Sequence, residues 1–253
     1  INAISDKAGI IQAMADLTGS AYFQFYVGAD IMDSKMNIFQ LYQGGIGLGE
    51  KEYYLDTDEA TTNIREGYKA HIVKMFQLIG QDEKTATKNM EAVMEIETRL
   101  AKKAFSAVEQ RNPAANYHML TLDELKKEIA GFDWDAYLNA VGVKGVTSLN
   151  VSQIEPVKEA VAIINEMPLD KQKAYLQWKL IDDAAAYLSE DFVAQNFEFY
   201  GKVMSGKKED QPRWKKAVGT VNGVLGEAVG QMYVEKYFPA AAKERMTQLV
   251  KNL

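Results

Sequence analysis

The first fifty residues combine one helical repeat with one alternating segment. Apolar side chains four and three positions apart predict a helix over residues 5–17, with Ser5 as its candidate cap. Strand-like alternation follows, because the side chains of Phe23, Phe25 and Val27 are interleaved with Gln24, Tyr26 and Gly28. A polar turn and a second short strand over residues 37–42 complete the pattern. We therefore expect one small β-hairpin near the N-terminus and little other sheet.

Helical spacing dominates the middle of the chain. Asp58 is expected to cap a helix that ends at Gly80, with a buried face formed by Ile64, Tyr68, Ile72, Met75 and Ile79. Asp82 is expected to cap the next helix, which continues to about Phe105. Shorter helices should follow the capping-box spacing of Thr121 and Glu124 and the cap at Asp133.

The C-terminal part is also predicted to be helical. After a polar, glycine-containing link over residues 142–150, helices are expected over residues 156–167, 169–187, 190–204, 212–237 and 240–252. A helical pattern is still running at Leu253. The predicted fold class is mainly α, a multi-helix single domain over residues 1–253 with one small β-hairpin.

A glycine-dense loop covers residues 43–49. A phosphate-binding loop would need a helix immediately after the glycines and a Lys-Ser/Thr pair. Here Glu50 and Glu52 follow instead, and both would repel phosphate. The loop is therefore interpreted as a tight connector with positive φ angles.

The segment 212–237 carries two stripes at helical spacing. Trp214, Val218, Val221, Leu225, Ala228 and Met232 form an apolar stripe, and Gly219, Gly223, Gly226 and Gly230 form the other. Glycine costs about 1 kcal/mol relative to alanine in a helix, so four of them suggest close packing of another backbone. Charged residues on the same helix argue against a membrane-embedded dimer. We predict a central, buried helix.

Composition limits the chemistry that the chain can perform. The 253 residues contain no cysteine, which excludes disulfides, thiolate zinc sites and a cysteine nucleophile. The two histidines, His71 and His118, are too far apart for an H-E-x-x-H zinc helix. His71 is interpreted as a structural, hydrogen-bonded side chain, and His118 as a loop residue with turn contacts. No catalytic or metal-ligating residue is predicted.

The net charge argues against a nucleic-acid partner, and the hydropathy argues against a membrane-spanning segment. The net charge of −6 disfavours a general nucleic-acid surface, and Lys207, Lys208, Lys215 and Lys216 are interpreted as a solvated face. No apolar run approaches the roughly 20 residues that span a bilayer. The first residue is Ile1 and no signal peptide is recognisable, so we expect a fragment of a longer chain.

An ordered set of motifs resembles the N-terminal region of neprilysin-type zinc endopeptidases. The matching segments are Phe23–Asp30, Gln43–Leu48, Glu52–Leu55, Tyr68–Ile72, Glu97–Ala101, Arg111 with Tyr117, Leu122 with Leu125, Asp133–Trp134, Arg213–Trp214 and Gly226–Val234. Gly49, Asn112 and His118 depart from the residues usual in the family, which are proline, aspartate and asparagine. The absence of the cysteines of animal members fits a bacterial-type member.

The resemblance implies a non-catalytic helical lobe. Family members carry zinc on an H-E-x-x-H helix in their C-terminal part, and zinc is expected there rather than in this chain. The implied partners are a catalytic lobe of the same chain and oligopeptide substrates, whose size an internal chamber limits. Arg111, Tyr117 and Arg213 are candidate substrate-binding residues of the chamber wall, chosen for their polarity and loop positions. A secreted, periplasmic or envelope location is expected, and the chain alone should be inactive.

Two other interpretations remain open. One is a stand-alone helical binding or scaffold module without a catalytic partner, which predicts a polar surface all round. The lobe interpretation predicts one exposed apolar face. The other alternative is a divergent enzyme that uses His118 with nearby carboxylates, although no second group that would position the histidine is evident.

Overall fold

The computed structural model describes residues 1–252 and divides into two compact units, Ile1–Gly206 and a second that starts at Lys207. Helices make up 63% of the chain, so the predicted mainly α class is confirmed. The described residues form twelve α-helices: α1 (Lys7–Asp16), α2 (Glu52–Leu55), α3 (Glu59–Leu78), α4 (Glu83–Lys103), α5 (Ala107–Gln110), α6 (Leu122–Glu128), α7 (Trp134–Ala140), α8 (Ile154–Glu166), α9 (Leu169–Ala184), α10 (Glu190–Asn196), α11 (Arg213–Tyr237) and α12 (Ala240–Lys251). Leu253, where a helical pattern was still expected, lies outside the described residues.

Side-chain caps define four of the predicted helix starts. Asp58, Asp82 and Asp133 each accept a hydrogen bond from a backbone N–H in the first turn of α3, α4 and α7, as predicted. Thr121 and Glu124 form the predicted capping box at α6. The cap expected at Ser5 is wrong by one residue, because Asp6 accepts the bond from the Gly9 N–H and α1 begins at Lys7.

The predicted hairpin is present, but it is half of a four-stranded sheet. The strands are β1 (Phe23–Ala29), β2 (Asn37–Gln43), β3 (Met119–Thr121) and β4 (Ser148–Val151), in the spatial order β1-β2-β4-β3. β1 pairs with β2 and β3 with β4 in antiparallel fashion, whereas β2 and β4 run parallel. The expectation of little other sheet is therefore corrected, and part of the predicted link 142–150 is β4.

Pairing between distant segments explains why the two added strands escaped prediction. Asn150 of β4 is buried, and its Oδ1 accepts a hydrogen bond from the His118 N–H at 2.6 Å. Its Nδ2 donates to Gln40 Oε1 on β2 at 2.8 Å. Strands of three and four residues carry too little alternation to be recognised. Their partners, not their local pattern, determine their conformation.

The core of the first unit forms where α4 packs against α3, α8 and α9. Tyr68, Ile72 and Met75 of the predicted α3 face are fully buried, while Ile64 is half-buried. Ile79 is 41% exposed, because it is the C-terminal cap of α3 and follows the last helical residue. After α10 the chain continues as a π-helix over Phe197–Val203, which returns Phe199 to this core.

The second unit contains α11 and α12. No described residue of either helix is buried, so the prediction of a buried helix over residues 212–237 is wrong for this structure. α11 is also interrupted at Leu225, whose φ of −118° is not helical. Two helices without a shared core cannot cover an apolar stripe by themselves. Across residues 1–252 no helix is long and apolar enough to cross a membrane.

Replacement of Asn150 tests the link between the predicted hairpin and the added strands. Asn150→Ala leaves the partly buried His118 N–H and the buried Gln40 Oε1 without this partner, and should lower the free energy of unfolding by about 2 kcal/mol. Asn139→Ala, at an exposed position of α7, is the control and should change it by less than about 0.5 kcal/mol. Chemical denaturation measures both, and equal stability of the two variants would contradict this role of Asn150.

Candidate functional site

A buried carboxylate lies at the centre of the first unit. Glu97 of α4 is fully buried, and its Oε2 accepts hydrogen bonds from the hydroxyls of Tyr54 at 2.6 Å and Tyr68 at 3.0 Å. Trp178 of α9 donates from Nε1 to the Tyr68 hydroxyl at 2.9 Å. Burial raises the pKa of Glu97 to about 7, and the nearby positive charge of Lys179 partly offsets this effect.

The glycine-dense loop rests directly on this cluster. The Leu48 N–H donates to the Tyr54 hydroxyl at 3.0 Å, and the Tyr175 hydroxyl donates to the Gly45 carbonyl at 2.7 Å. Gly45 has a φ of +83°, as expected for a tight connector. At Gly47 an added Cβ would lie 1.9 Å from the Tyr68 hydroxyl oxygen, so only glycine permits this approach. The loop is therefore a packed connector.

A second buried polar cluster lies beside the first. The His71 ring stacks on Phe199, with ring centroids 5.1 Å apart, and its Nδ1 is 3.1 Å from Gln195 Nε2. Burial lowers the pKa of His71 to about 4. The predicted hydrogen bond of His71 is thus present at Nδ1, whereas its buried Nε2 has no hydrogen-bond partner among the described residues. Tyr200 of the π-helix donates to Asp182 Oδ2 at 3.0 Å, and burial raises the pKa of Asp182 to about 6.

The segment 105–118 is pinned to the sheet by amide side chains. Gln43 at the end of β2 donates to the Phe105 carbonyl and accepts from the Phe105 N–H, at 2.9 and 2.7 Å. Asn116 Oδ1 accepts a hydrogen bond from Gln153 Nε2. The His118 ring Nδ1 lies 3.0 Å from the Val151 carbonyl oxygen, a contact to β4 rather than a turn contact. Neutral hydrogen bonds therefore fix this segment.

Two of the three candidate wall residues belong to this pinned segment. Arg111 directly follows α5 and is exposed, whereas the Tyr117 hydroxyl donates to Asp30 Oδ2 at 3.1 Å. Arg213 is the first residue of α11 and is also exposed, but it belongs to the second unit. The structure thus places Arg111 and Tyr117 in one segment and Arg213 in another unit.

A shallow cleft lies between the glycine-dense loop and the end of α5. Its volume is about 220 Å³, and its polar lining comes from Tyr42, Gln24, Gln43, Glu50 and Gln110. Such a lining offers hydroxyl, amide and carboxylate groups for hydrogen bonds. Within residues 1–252 no group of three or more potential metal ligands comes together.

Comparison with known proteins identifies the class to which this fold belongs. The N-terminal-region model of peptidase family M13 matches residues 1–253. The chain therefore belongs to peptidase family M13 and corresponds to its N-terminal region, as the resemblance to neprilysin-type enzymes indicated.

Individual relatives are much longer than this chain. Endothelin-converting enzyme 1 of Rattus norvegicus is 27% identical over 240 residues, which are 91% of this chain and 31% of the relative. The zinc metalloprotease Zmp1 of Mycobacterium tuberculosis in its open state is 31% identical with a TM-score of 0.91, covering 99% of this chain and 40% of that one. The inhibitor complex of Zmp1 is 30% identical with a TM-score of 0.92, covering 99% and 38%. The chain spans about a third of the relatives that it matches.

Sequence reasoning did not assign the buried Glu97 cluster to a site. Tyr54, Tyr68 and Glu97 were each noted in separate motifs, but their convergence needed the packing of α2, α3 and α4. A signal was present, because Glu97 interrupts an otherwise apolar helical face that includes Val93, Ile96 and Leu100. A carboxylate at such a position requires buried donors.

Substitution of Gly47 tests the close packing of the loop. Gly47→Ala places a methyl group against the Tyr68 hydroxyl and should lower the free energy of unfolding by about 1–3 kcal/mol. Gly223→Ala in α11 is the control, because no atom lies within 4 Å of its added Cβ, and it should be neutral or stabilising. Thermal or chemical unfolding of the 253-residue chain compares the two, and an unaffected Gly47→Ala variant would contradict the packing.

The pH dependence of stability tests the burial of Glu97. Its folded-state pKa of about 7 lies above the unfolded value of 4.5, so its contribution to stability is complete below pH 4.5 and is lost as the pH rises through 7. The wild type should therefore lose about 3 kcal/mol relative to Glu97→Gln between pH 4.5 and 8. Contributions of His71 and Asp182 are common to both proteins and cancel in the difference.

Glu91→Gln, at an exposed position of the same helix, is the matched control. Its free energy of unfolding should follow the wild-type pH profile. If the profiles of wild type and Glu97→Gln run parallel from pH 5 to 8, the raised pKa of Glu97 is refuted.

Proposed function

We propose that the chain is the single, non-catalytic lobe of a bacterial-type zinc metalloendopeptidase that cleaves oligopeptides. In this proposal it forms one wall of an internal chamber and limits the size of the substrates that reach the zinc. The proposal is supported by how much of this chain, and how little of each relative, takes part in the match. The M13 N-terminal model matches all 253 residues, whereas the chain spans only 31–40% of the length of the relatives.

The chemistry is assigned to the portion that this chain does not include. Zinc would be held there, and the metal would activate water for peptide hydrolysis when bound. The absence of a ligand cluster within residues 1–252 is compatible with this division. This chain would form one wall of the chamber, supply hydrogen-bonding groups and close the chamber over the active site. It would be inactive alone. A secreted, periplasmic or envelope location of the whole protein belongs to the same proposal.

Arg111 and Tyr117 are the proposed wall residues of the first unit. Their segment is held by Gln43 at the end of β2 and by Gln153 at the start of α8, so an exposed side chain projecting from it has a fixed base. A fixed base reduces the entropy lost when a peptide binds. Arg213 is proposed as a third wall residue on α11. The amide-lined cleft beside Gln110 suits an extended peptide backbone.

The gene sequence gives the simplest test of whether a zinc-binding portion follows this chain. An H-E-x-x-H motif should be encoded within a few hundred residues after Leu253. Its absence would contradict the peptidase proposal and favour the stand-alone binding or scaffold module.

Kinetics of the longer protein test the wall assignment. Arg111→Ala should raise KM for short peptides roughly two- to fivefold with kcat unchanged, because it removes an exposed charge contact made equally in the ground and transition states. Arg245→Ala, exposed on α12, is the control and should leave both constants unchanged. An unchanged KM in Arg111→Ala would remove Arg111 from the chamber wall.

A further inference from the structure

The cleft beside the glycine-dense loop is lined in part by a strained, almost fully buried residue. Tyr22 has a φ of +64°, a backbone conformation that is rare for a bulky side chain. Its N–H donates to the Tyr175 hydroxyl at 3.0 Å, and its own hydroxyl donates to Gln172 Oε1 at 3.1 Å. Strain of this kind persists only where the surrounding contacts fix it, and it is concentrated at ligand-binding and active sites.

The glycine-dense loop adds a rigid backbone wall to the same cleft. A Cβ added at Gly45 would lie 2.6 Å from the Tyr175 hydroxyl oxygen and 2.8 Å from the Tyr22 nitrogen. A Cβ added at Gly44 would lie 2.6 Å from Gln24 Cγ. The loop backbone therefore lies directly against other residues of the lining. A site that is fixed before binding loses less entropy when a ligand enters.

The charge of the cleft comes from one side chain. Glu50 is the one charged residue among those of residues 1–252 that line the cleft. It is half-buried, and its carboxylate forms no hydrogen bond or ion pair within the described part of the chain. The neighbouring Lys51 is instead paired with Glu109 at 3.1 Å. A cleft that carries charge of one sign attracts ligands of the opposite sign.

We propose that this cleft binds the guanidinium or ammonium group of a basic peptide side chain, with the Glu50 carboxylate as its counter-ion. This inference rests on the proposed function, because it takes a peptide as the ligand. Gln110 Nε2 donates to the Phe105 carbonyl at 3.1 Å, which leaves its Oε1 to accept a further hydrogen bond. Guanidinium and ammonium groups donate hydrogen bonds but accept none, so they match a carboxylate and an amide oxygen.

Two peptides of nearly the same shape test the need for charge. Acetyl-Gly-Arg-Gly-amide and its citrulline counterpart differ in the guanidinium group, which citrulline replaces with a neutral urea. In NMR titrations of the 253-residue chain, the arginine peptide should shift the amide resonances of residues 43–50. It should bind roughly five- to tenfold more tightly than the citrulline peptide, because charge-assisted hydrogen bonds are about twice as strong as neutral ones.

Substitution of Glu50 tests the counter-ion. Glu50→Gln keeps the size of the side chain and should reduce the affinity for the arginine peptide to that for the citrulline peptide. Glu52→Gln is the matched control, since Glu52 is also half-buried but does not line the cleft, and it should bind like the wild type. Thermal unfolding of both variants at the wild-type temperature would show that a loss of binding is local.

Three results would overturn the inference. Equal affinities of the wild type for the two peptides would remove the preference for a cation, and an unchanged affinity of Glu50→Gln would remove the counter-ion. Methylguanidinium that binds as tightly as the arginine peptide would make the cleft a site for free organic cations. None of these results affects the proposed function, which fails separately if the gene encodes no H-E-x-x-H motif.

Discussion

The hydrogen bonds that hold the Glu97 carboxylate inside the protein are the constraint on which the first unit depends. A buried carboxylate is costly unless donors surround it, and Tyr54 and Tyr68 supply them at 2.6 and 3.0 Å. The same two hydroxyls support the glycine-dense loop at Leu48 and restrict residue 47 to glycine. This cluster of hydrogen bonds thus joins α2, α3 and α4 to the glycine-dense loop.

Local signals in the sequence predict much of this fold. The caps at Asp58, Asp82 and Thr121 act within three residues, and the alternation in residues 23–27 is sufficient for the hairpin. β3 and β4 could not be predicted in this way, because their conformation depends on pairing between segments that are 27 to 31 residues apart for β3 with β4 and 110 residues apart for β2 with β4. The same limit applies to the site, where Tyr54, Tyr68 and Glu97 come from three helices.

The two units contrast in how their apolar residues are used. In the first unit the predicted α3 face is buried around Tyr68 and Ile72, and the polar groups beneath it are largely paired. In the second unit the apolar stripe of α11 is exposed. The lobe interpretation predicted an exposed apolar face, whereas the stand-alone module predicted a polar surface all round.

The central proposal is that this region of an M13 peptidase would contribute shape and contacts, whereas the metal chemistry would belong to the remaining polypeptide. Calorimetric titration of zinc into the purified 253-residue chain tests it most directly. The account predicts no stoichiometric tight binding, and the His71→Phe variant should give the same result as the wild type. Tight binding of one zinc ion per chain would contradict the account.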